Sequence, residues 1–266
     1  MTRTLFHALS LCLLMSMLLW TSRVYGQAWV ICHENQDYNP YITYSVSGED
    51  PTGLLIDVIT RAAADSDVQV SFSARPWKRC LQGTQNGSFD ALFGVIKTPE
   101  REQQYAFPMN DDYLAKARYT ILYKASGRLH AAEQAGQLFN ASGLNVDTYK
   151  QLKQYGLQAP AGYVLNQFLI EQQLNSEFSY SLDNGIKQVA LGRLDGYLVE
   201  RLIGLSAIQR LGAQGQVISS QGAVKESIWH IPFNRDFYQQ NQNKVDEFWH
   251  HVSHASRQII PITSAN

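Results

Sequence analysis

Cysteine is scarce in this chain: three residues, Cys12, Cys32 and Cys80. No histidine spacing accompanies them that would suit a zinc site. Clustered positive charge is missing too. Lys+Arg number 22 against 23 Asp+Glu, and no basic run or patch stands out. Nucleic acid and anionic membrane surfaces are therefore not expected partners. Long hydrophobic runs are also wanting, since the apolar stretch from Leu9 to Trp20 is well short of a membrane-spanning helix. The chain holds no phosphate loop, no metal motif and no nucleophile–base constellation, so no cofactor is expected.

What is present begins with that short apolar run. Arg3 precedes it, and small Gly26 follows Val24-Tyr25 at a suitable cleavage point. Residues 1–26 read as a secretory signal peptide. A lipoprotein would need Cys12 as its anchor, but Leu11 is the wrong size before it and the cysteine comes too early. About 240 residues remain, enough for one large or two modest domains, and the formal charge falls from −1 to −3 without Arg3 and Arg23. Cys32 and Cys80 are an even pair in an oxidising compartment, which favours a disulfide. Cys32 ends a first strand and Cys80 lies on the helix after a second, and those strands should be neighbours. Two buried thiols are the alternative.

The stretch from Asp90 to Pro108 carries the most information. Ala91 to Ile96 is an apolar run of the kind a buried strand uses. Thr98-Pro99-Glu100 then reads as a helix start, with a capping hydroxyl, proline at the first helical position and acids in the first turn. Arg101 thus sits in a first helical turn at the end of a strand, where ligands of α/β sheets bind. A guanidinium beside unpaired backbone N–H groups suits a carboxylate or other small anion. The other reading pairs Arg101 with Glu100 or Glu102 on the surface.

Around this stretch the spacing predicts a strand at Ala28 to Cys32 and an aromatic, amide-rich loop from His33 to Tyr44. An amphipathic helix follows over Gly53 to Ala64, then a strand at Val68 to Ala74 and a helix opened by Pro76-Trp77. Asp57, on the first of these helices, suits a structural hydrogen bond. The turn Gly87-Ser88-Phe89-Asp90 echoes in Gly192-Arg193-Leu194-Asp195, each before an apolar run, which suggests two lobes of similar build. Tyr119 to Lys124 alternates and should cross from the first lobe to the second. Gln167 to Asn175 reads as helical, Tyr197 to Val199 as a strand ending in Glu200, and Glu226 to Asn234 as the return crossing. Asn241 to Ser256 forms the last helix; His250, His251 and His254 on it fit a helix face better than a ligand set.

Several pieces together, in chain order, carry a resemblance. They are D-Y-N-P-Y from Asp37, P-T-G-L-L-I-D-V-I from Pro51, P-W-K-R-C-L from Pro76, G-S-F-D from Gly87, T-P-E-R from Thr98 and A-L-G-R-L-D-G-Y-L-V-E from Ala190. The chain from about Trp29 to about Val252 resembles the periplasmic solute-binding proteins of ABC transporters, specifically the polar amino-acid family. The resemblance implies an α/β, two-lobed type 2 periplasmic-binding fold, each lobe a mostly parallel sheet flanked by helices, joined by a two-segment hinge. Lobe 1 would take residues 27–122 and 227–266, and lobe 2 residues 123–226. It implies a monomer that works in the periplasm, binds a small, carboxylate-bearing polar ligand and docks on an inner-membrane ABC permease. It places Tyr38 and Trp77 as stacking walls, Gly94 and Arg101 at the ligand's anionic end, the backbone at Gly162 as a further anion contact, and Glu200 at the ligand's ammonium.

Against that family the chain has departures. Gly94 and Ile96 stand where hydroxyl side chains are common, Pro160-Ala161 stand where Gln-Gly is common, and Glu200 is one methylene longer than the usual Asp. Two other functions use the same scaffold: a cyclohexadienyl dehydratase-like enzyme with Glu200 or Glu34 as general acid, and a ligand sensor. For Glu200 itself, capping the following helix is the structural alternative.

Overall fold

The computed structural model describes residues 27–43 and 51–260; the expected signal peptide lies outside them. In chain order the elements are β1 (Trp29–Glu34), α1 (Leu54–Asp65), β2 (Val70–Arg75), α2 (Trp77–Gln85), β3 (Ala91–Leu92), β4 (Val95–Ile96) and α3 (Pro99–Gln104). Next come β5 (Tyr105–Ala106), β6 (Ala115–Lys124), α4 (Arg128–Gln134), β7 (Phe139–Asn140), β8 (Gly143–Leu144), α5 (Val146–Leu152), β9 (Leu157–Gln158) and α6 (Val164–Glu171). The chain closes with α7 (Leu182–Ala190), β10 (Gly196–Glu200), α8 (Arg201–Arg210), β11 (Val217–Ser219), β12 (Lys225–His230), β13 (Phe233–Asn234) and α9 (Arg235–Ile259).

Two main sheets organise these elements. The first runs β2-β1-β3-β13-β5, and the second β4-β12-β6-β10-β9 with β11 also on β6. The parallel pairs β1–β2 and β1–β3 lie in the first and β9–β10 in the second. Antiparallel pairing comes from β13 and β5 in the first sheet and from β6 with its neighbours β10, β11 and β12 in the second. Short β7 and β8 form a separate hairpin.

The repeated Gly-x-x-Asp turn does the same work in both halves. The Asp90 carboxylate accepts the Val30 N–H at 2.7 Å, and the Asp90 N–H donates to the Val30 carbonyl at 3.0 Å. Asp195 collects the N–H groups of Gln154, Tyr155 and Gly156 at 2.8, 3.1 and 3.0 Å. Its own N–H donates to the Gly156 carbonyl. Each turn therefore ties the start of a strand to its parallel neighbour.

The apolar run Ala91 to Ile96 is not one strand. It breaks at Phe93-Gly94, where Gly94 takes φ +78°, a left-handed conformation that glycine adopts without Cβ strain. Leu92 leaves the chain in the first sheet and Val95 enters it in the second. Helix α6 also starts and stops earlier than the pattern at Gln167 to Asn175 suggests, because Asn175 bridges to Leu157 beside the sheet. In α9 the backbone leaves helical geometry at Asn241, the residue at which the apolar pattern starts. The aromatic rings of Phe233, Phe237 and Phe248 pack edge-on around Trp29 and fasten that helix to the first sheet.

Cys32 and Cys80 form a disulfide, with their Cα atoms 5.4 Å apart. It joins β1 to the first turn of α2 within a small cluster of Trp77, Leu92, Val95, Tyr105 and Phe107. Closing a span of 48 residues restricts the unfolded chain, worth about 4 kcal/mol in the chain-entropy account. The Cys32→Ala/Cys80→Ala pair is accordingly expected to lower the stability of the ligand-free protein by roughly 2–4 kcal/mol in urea unfolding. No loss would mean that the oxidised pair is strained.

Candidate functional site

A cleft of ≈ 670 Å³, counted out to its open mouth, lies between the two sheets. The end of β1 supplies Glu34, and the loop after it supplies Tyr38 and Tyr41. Trp77 comes from the first turn of α2, Phe93 and Gly94 from the break between β3 and β4, and Arg101 from α3. The second half of the chain brings Tyr163 at the start of α6, Glu200 at the end of β10, and Trp229 on β12; Tyr119 comes from β6. Of the ligand-contact residues expected from sequence, Tyr38, Trp77, Gly94, Arg101 and Glu200 are thus brought together. Gly162 does not line this cleft. It takes φ +85° and backs onto Trp77, where a Cβ would lie 3.3 Å from the indole Cδ1. Its neighbour Tyr163 turns into the cleft instead.

Arg101 is held as its sequence context dictates. The Thr98 hydroxyl caps α3 by accepting the Arg101 N–H at 3.3 Å, and Pro99 occupies the first helical position. The guanidinium Nη1 donates to the Ile96 carbonyl at 2.9 Å. Glu102 pairs with Lys97 at 2.9 Å, and among the described residues Arg101 makes no ion pair of its own. Burial pulls its pKa down, opposed by the nearby phenols of Tyr105, Tyr119 and Tyr163 and by the Glu100 carboxylate. A half-buried cation with no ion pair among the described residues is costly to desolvate further, so an entering anion meets a site already arranged for it.

Glu200 does both of the things its position allowed. One carboxylate oxygen accepts the N–H groups of Leu202 and Ile203 at 2.8 and 3.1 Å, capping α8. The side chain also lines the cleft. Burial raises its pKa to about 7, against the pull of those two N–H groups and the Tyr41 hydroxyl. Tyr119 lies within reach of both charges, feeling Glu200 and Arg101 in opposite senses, and its hydroxyl accepts the Trp229 indole N–H at 2.8 Å.

Glu34 is the second cleft carboxylate. The Tyr163 hydroxyl donates to it at 2.7 Å across the gap between the sheets, and the Tyr38 hydroxyl lies within its reach. Burial raises its pKa, and those two phenols oppose the rise. On the rim, the Ser206 hydroxyl donates to the Asn39 side-chain carbonyl at 3.1 Å. The two halves therefore touch at both places. Among the described residues the cleft offers one guanidinium, two carboxyls with raised pKa and a lining of aromatic rings. It suits a small molecule with both charges and an apolar body. Among the described residues no group of His, Cys, Asp and Glu is placed to hold a metal ion.

The sequence named Glu34 only as a general acid in the enzyme alternative, and it did not mark Tyr163 or Tyr119 as cleft walls. Glu34 had a usable signal, since it ends a parallel strand at the sheet edge where ligands bind. Tyr119 and Trp229 gave none, because on their own strands they read as ordinary alternating residues.

Residues 30–253 match the profile of the bacterial extracellular solute-binding proteins, family 3. The chain belongs to that family. Comparison of this solute-binding protein with curated protein sequences gave no match. Solved structures share its fold at low identity. A histidine kinase sensor domain similar to periplasmic binding proteins superposes with TM-score 0.68 at 14% identity, over 89% of this chain and 93% of that one. The amino-acid ABC transporter substrate-binding protein AbpA of Streptococcus pneumoniae, solved with L-arginine, gives 0.64 at 18% identity, over 88% and 92%. The ancestral amino acid-binding protein AncCDT-1, a precursor of cyclohexadienyl dehydratase, gives 0.64 at 17% identity, over 88% and 95%. Among the described residues of this solute-binding protein, no helix is long and apolar enough to cross a membrane.

Proposed function

We propose that this solute-binding protein captures a small zwitterion, with the ligand's carboxylate on Arg101 and its ammonium at Glu200. The observation that carries the reading is that a guanidinium with no ion pair among the described residues and a buried carboxyl line one cleft. Tyr38 and Trp77 supply flat apolar faces for the body of the ligand, and the turn at Gly94 supplies backbone groups. In this reading the described residues of the segments 27–122 and 227–266 make up one lobe and residues 123–226 the other, with β6 and β12 as the segments that flex. Closure follows occupancy because only a ligand bearing both charges bridges the lobes. In this reading the protein is a periplasmic monomer that hands its ligand to an inner-membrane ABC permease. L-Arginine, with which AbpA was solved, is the first compound to test.

A thermal-shift screen of amino acids, polyamines and small organic acids tests it. A ligand held at 100 times its Kd stabilises the folded state by about 2.7 kcal/mol, a rise of several degrees in Tm. The reading is abandoned if no zwitterion in the screen raises Tm while one-charge acids or amines do.

One observation favours a second reading, an enzyme on the same scaffold. A carboxyl with pKa about 7 inside a cleft is suited to donate a proton. Incubation with prephenate or arogenate distinguishes the two, since a binding protein returns the compound unchanged. A sensory role shares the cleft and differs only in the partner that docks outside.

A further inference from the structure

Beyond the cleft lies a second, open-mouthed hollow of ≈ 780 Å³, counted out into solvent and walled by Gln36, Lys78, Pro160, Ala161, Tyr180 and Leu182 among others. Both hollows share Glu34, Tyr38 and Trp77 as walls, while Tyr163 lines the inner one. These residues stand between the two spaces as a partition. Tyr163 completes it from the far side of the cleft. Its ring is tilted against Trp77 with centroids 5.6 Å apart, and its hydroxyl donates to Glu34 at 2.7 Å. Gly162 lets the loop lie that close, because its left-handed backbone leaves no side chain between the loop and the indole.

We infer that Tyr163 is a specificity-determining residue that sets how long a ligand the cleft accepts. The inference rests on the reading that a zwitterion spans Arg101 and Glu200. A ligand held so has its remaining chain bounded by the apolar walls and then by the partition, where Glu34 faces its distal end. An α-amino acid that ends in a cation fills the inner chamber and places that cation against Glu34. A longer molecule has to pass the Tyr163 ring. The partition has one further donor: the indole N–H of Trp77 is buried, with the residue 8% exposed, and has no hydrogen-bond partner among the described residues. A ligand's polar end at this wall supplies the acceptor it lacks.

The test compares wild type, Tyr163→Phe and Tyr163→Ser by isothermal titration with L-lysine and with Nε-glycyl-L-lysine. Tyr163 occupies the position before the first residue of α6 and provides no side-chain cap. Serine there adds a capping hydroxyl while removing the ring, which protects the fold. Wild type should prefer L-lysine by roughly tenfold or more, the scale of a steric misfit in a shaped pocket. Tyr163→Phe keeps the ring and should keep that preference, with weaker binding of both compounds because the contact to Glu34 is gone. Tyr163→Ser joins the chambers and should bring the two affinities within about threefold. An unchanged preference in Tyr163→Ser overturns the inference, as does equal binding of both compounds by wild type. Failure of L-lysine to bind wild type also overturns it, while the zwitterion reading stands if another amino acid binds and falls if none does.

Discussion

Replacing Arg101 by alanine is expected to abolish the thermal shift given by the best ligand, with a loss of at least about 30-fold in affinity. Removing one partner of a desolvated, hydrogen-bonded charge pair costs about 2–5 kcal/mol, much of it the penalty on the carboxylate left behind. The empty protein should not lose stability. In it the guanidinium donates to the Ile96 carbonyl and makes no ion pair among the described residues, and the Thr98 cap that holds α3 does not involve the side chain of Arg101. Arg101→Lys keeps the charge but not the planar fork, so its affinity should fall between the two. Ligand binding and Tm measured on all three proteins check this. Retained binding in Arg101→Ala would remove the carboxylate assignment.

The second large effect is expected at Glu200. Its folded pKa of about 7 stands above the ordinary carboxyl value of 4.5 because burial disfavours the charge. The folded protein therefore holds this proton to higher pH than the unfolded chain does. The group's contribution to stability is fully present below the unfolded pKa, and it is lost as pH rises through about 7. A ligand ammonium acts in the opposite sense, since it needs the ionised carboxylate. Affinity should weaken by up to about tenfold per pH unit as pH falls below about 7, and binding near neutrality should release protons into the buffer. Glu200→Gln retains an oxygen for the N–H groups of Leu202 and Ile203, so the cap on α8 survives. That variant should bind about 10–100-fold more weakly and lose the pH slope between pH 5 and 7. Titration calorimetry in two buffers of different ionisation enthalpy measures both quantities. A slope that persists in Glu200→Gln would assign it to another group, such as Glu34.

Where local chemistry determined the structure, the sequence was readable. The cap at Thr98, proline at position 99 and the acids of the first turn locate α3 to the residue, and Arg101 with it. The Gly-x-x-Asp turns were visible as an echo because both carboxylates perform the same backbone task. The Cys32–Cys80 pairing followed from the neighbouring strands β1 and β2. What long-range packing determines was hidden. The break at Gly94 lies inside an apolar run that looks continuous, and only the handover between sheets explains it. The contact of Tyr163 with Glu34 joins positions 129 residues apart. Nothing local in β6 or β12 marks Tyr119 or Trp229 as cleft residues. Glu200 fits both the cap and the cleft because a carboxylate has two oxygens, a point no single reading of the sequence could separate.

The most direct check is a crystal structure of the protein grown with the tightest zwitterion from the screen. The account predicts one molecule in the inner cleft, its carboxylate within hydrogen-bond distance of the Arg101 guanidinium and its ammonium within hydrogen-bond distance of the Glu200 carboxylate. A ligand seated elsewhere, or one turned so that Arg101 faces no acceptor, would contradict it.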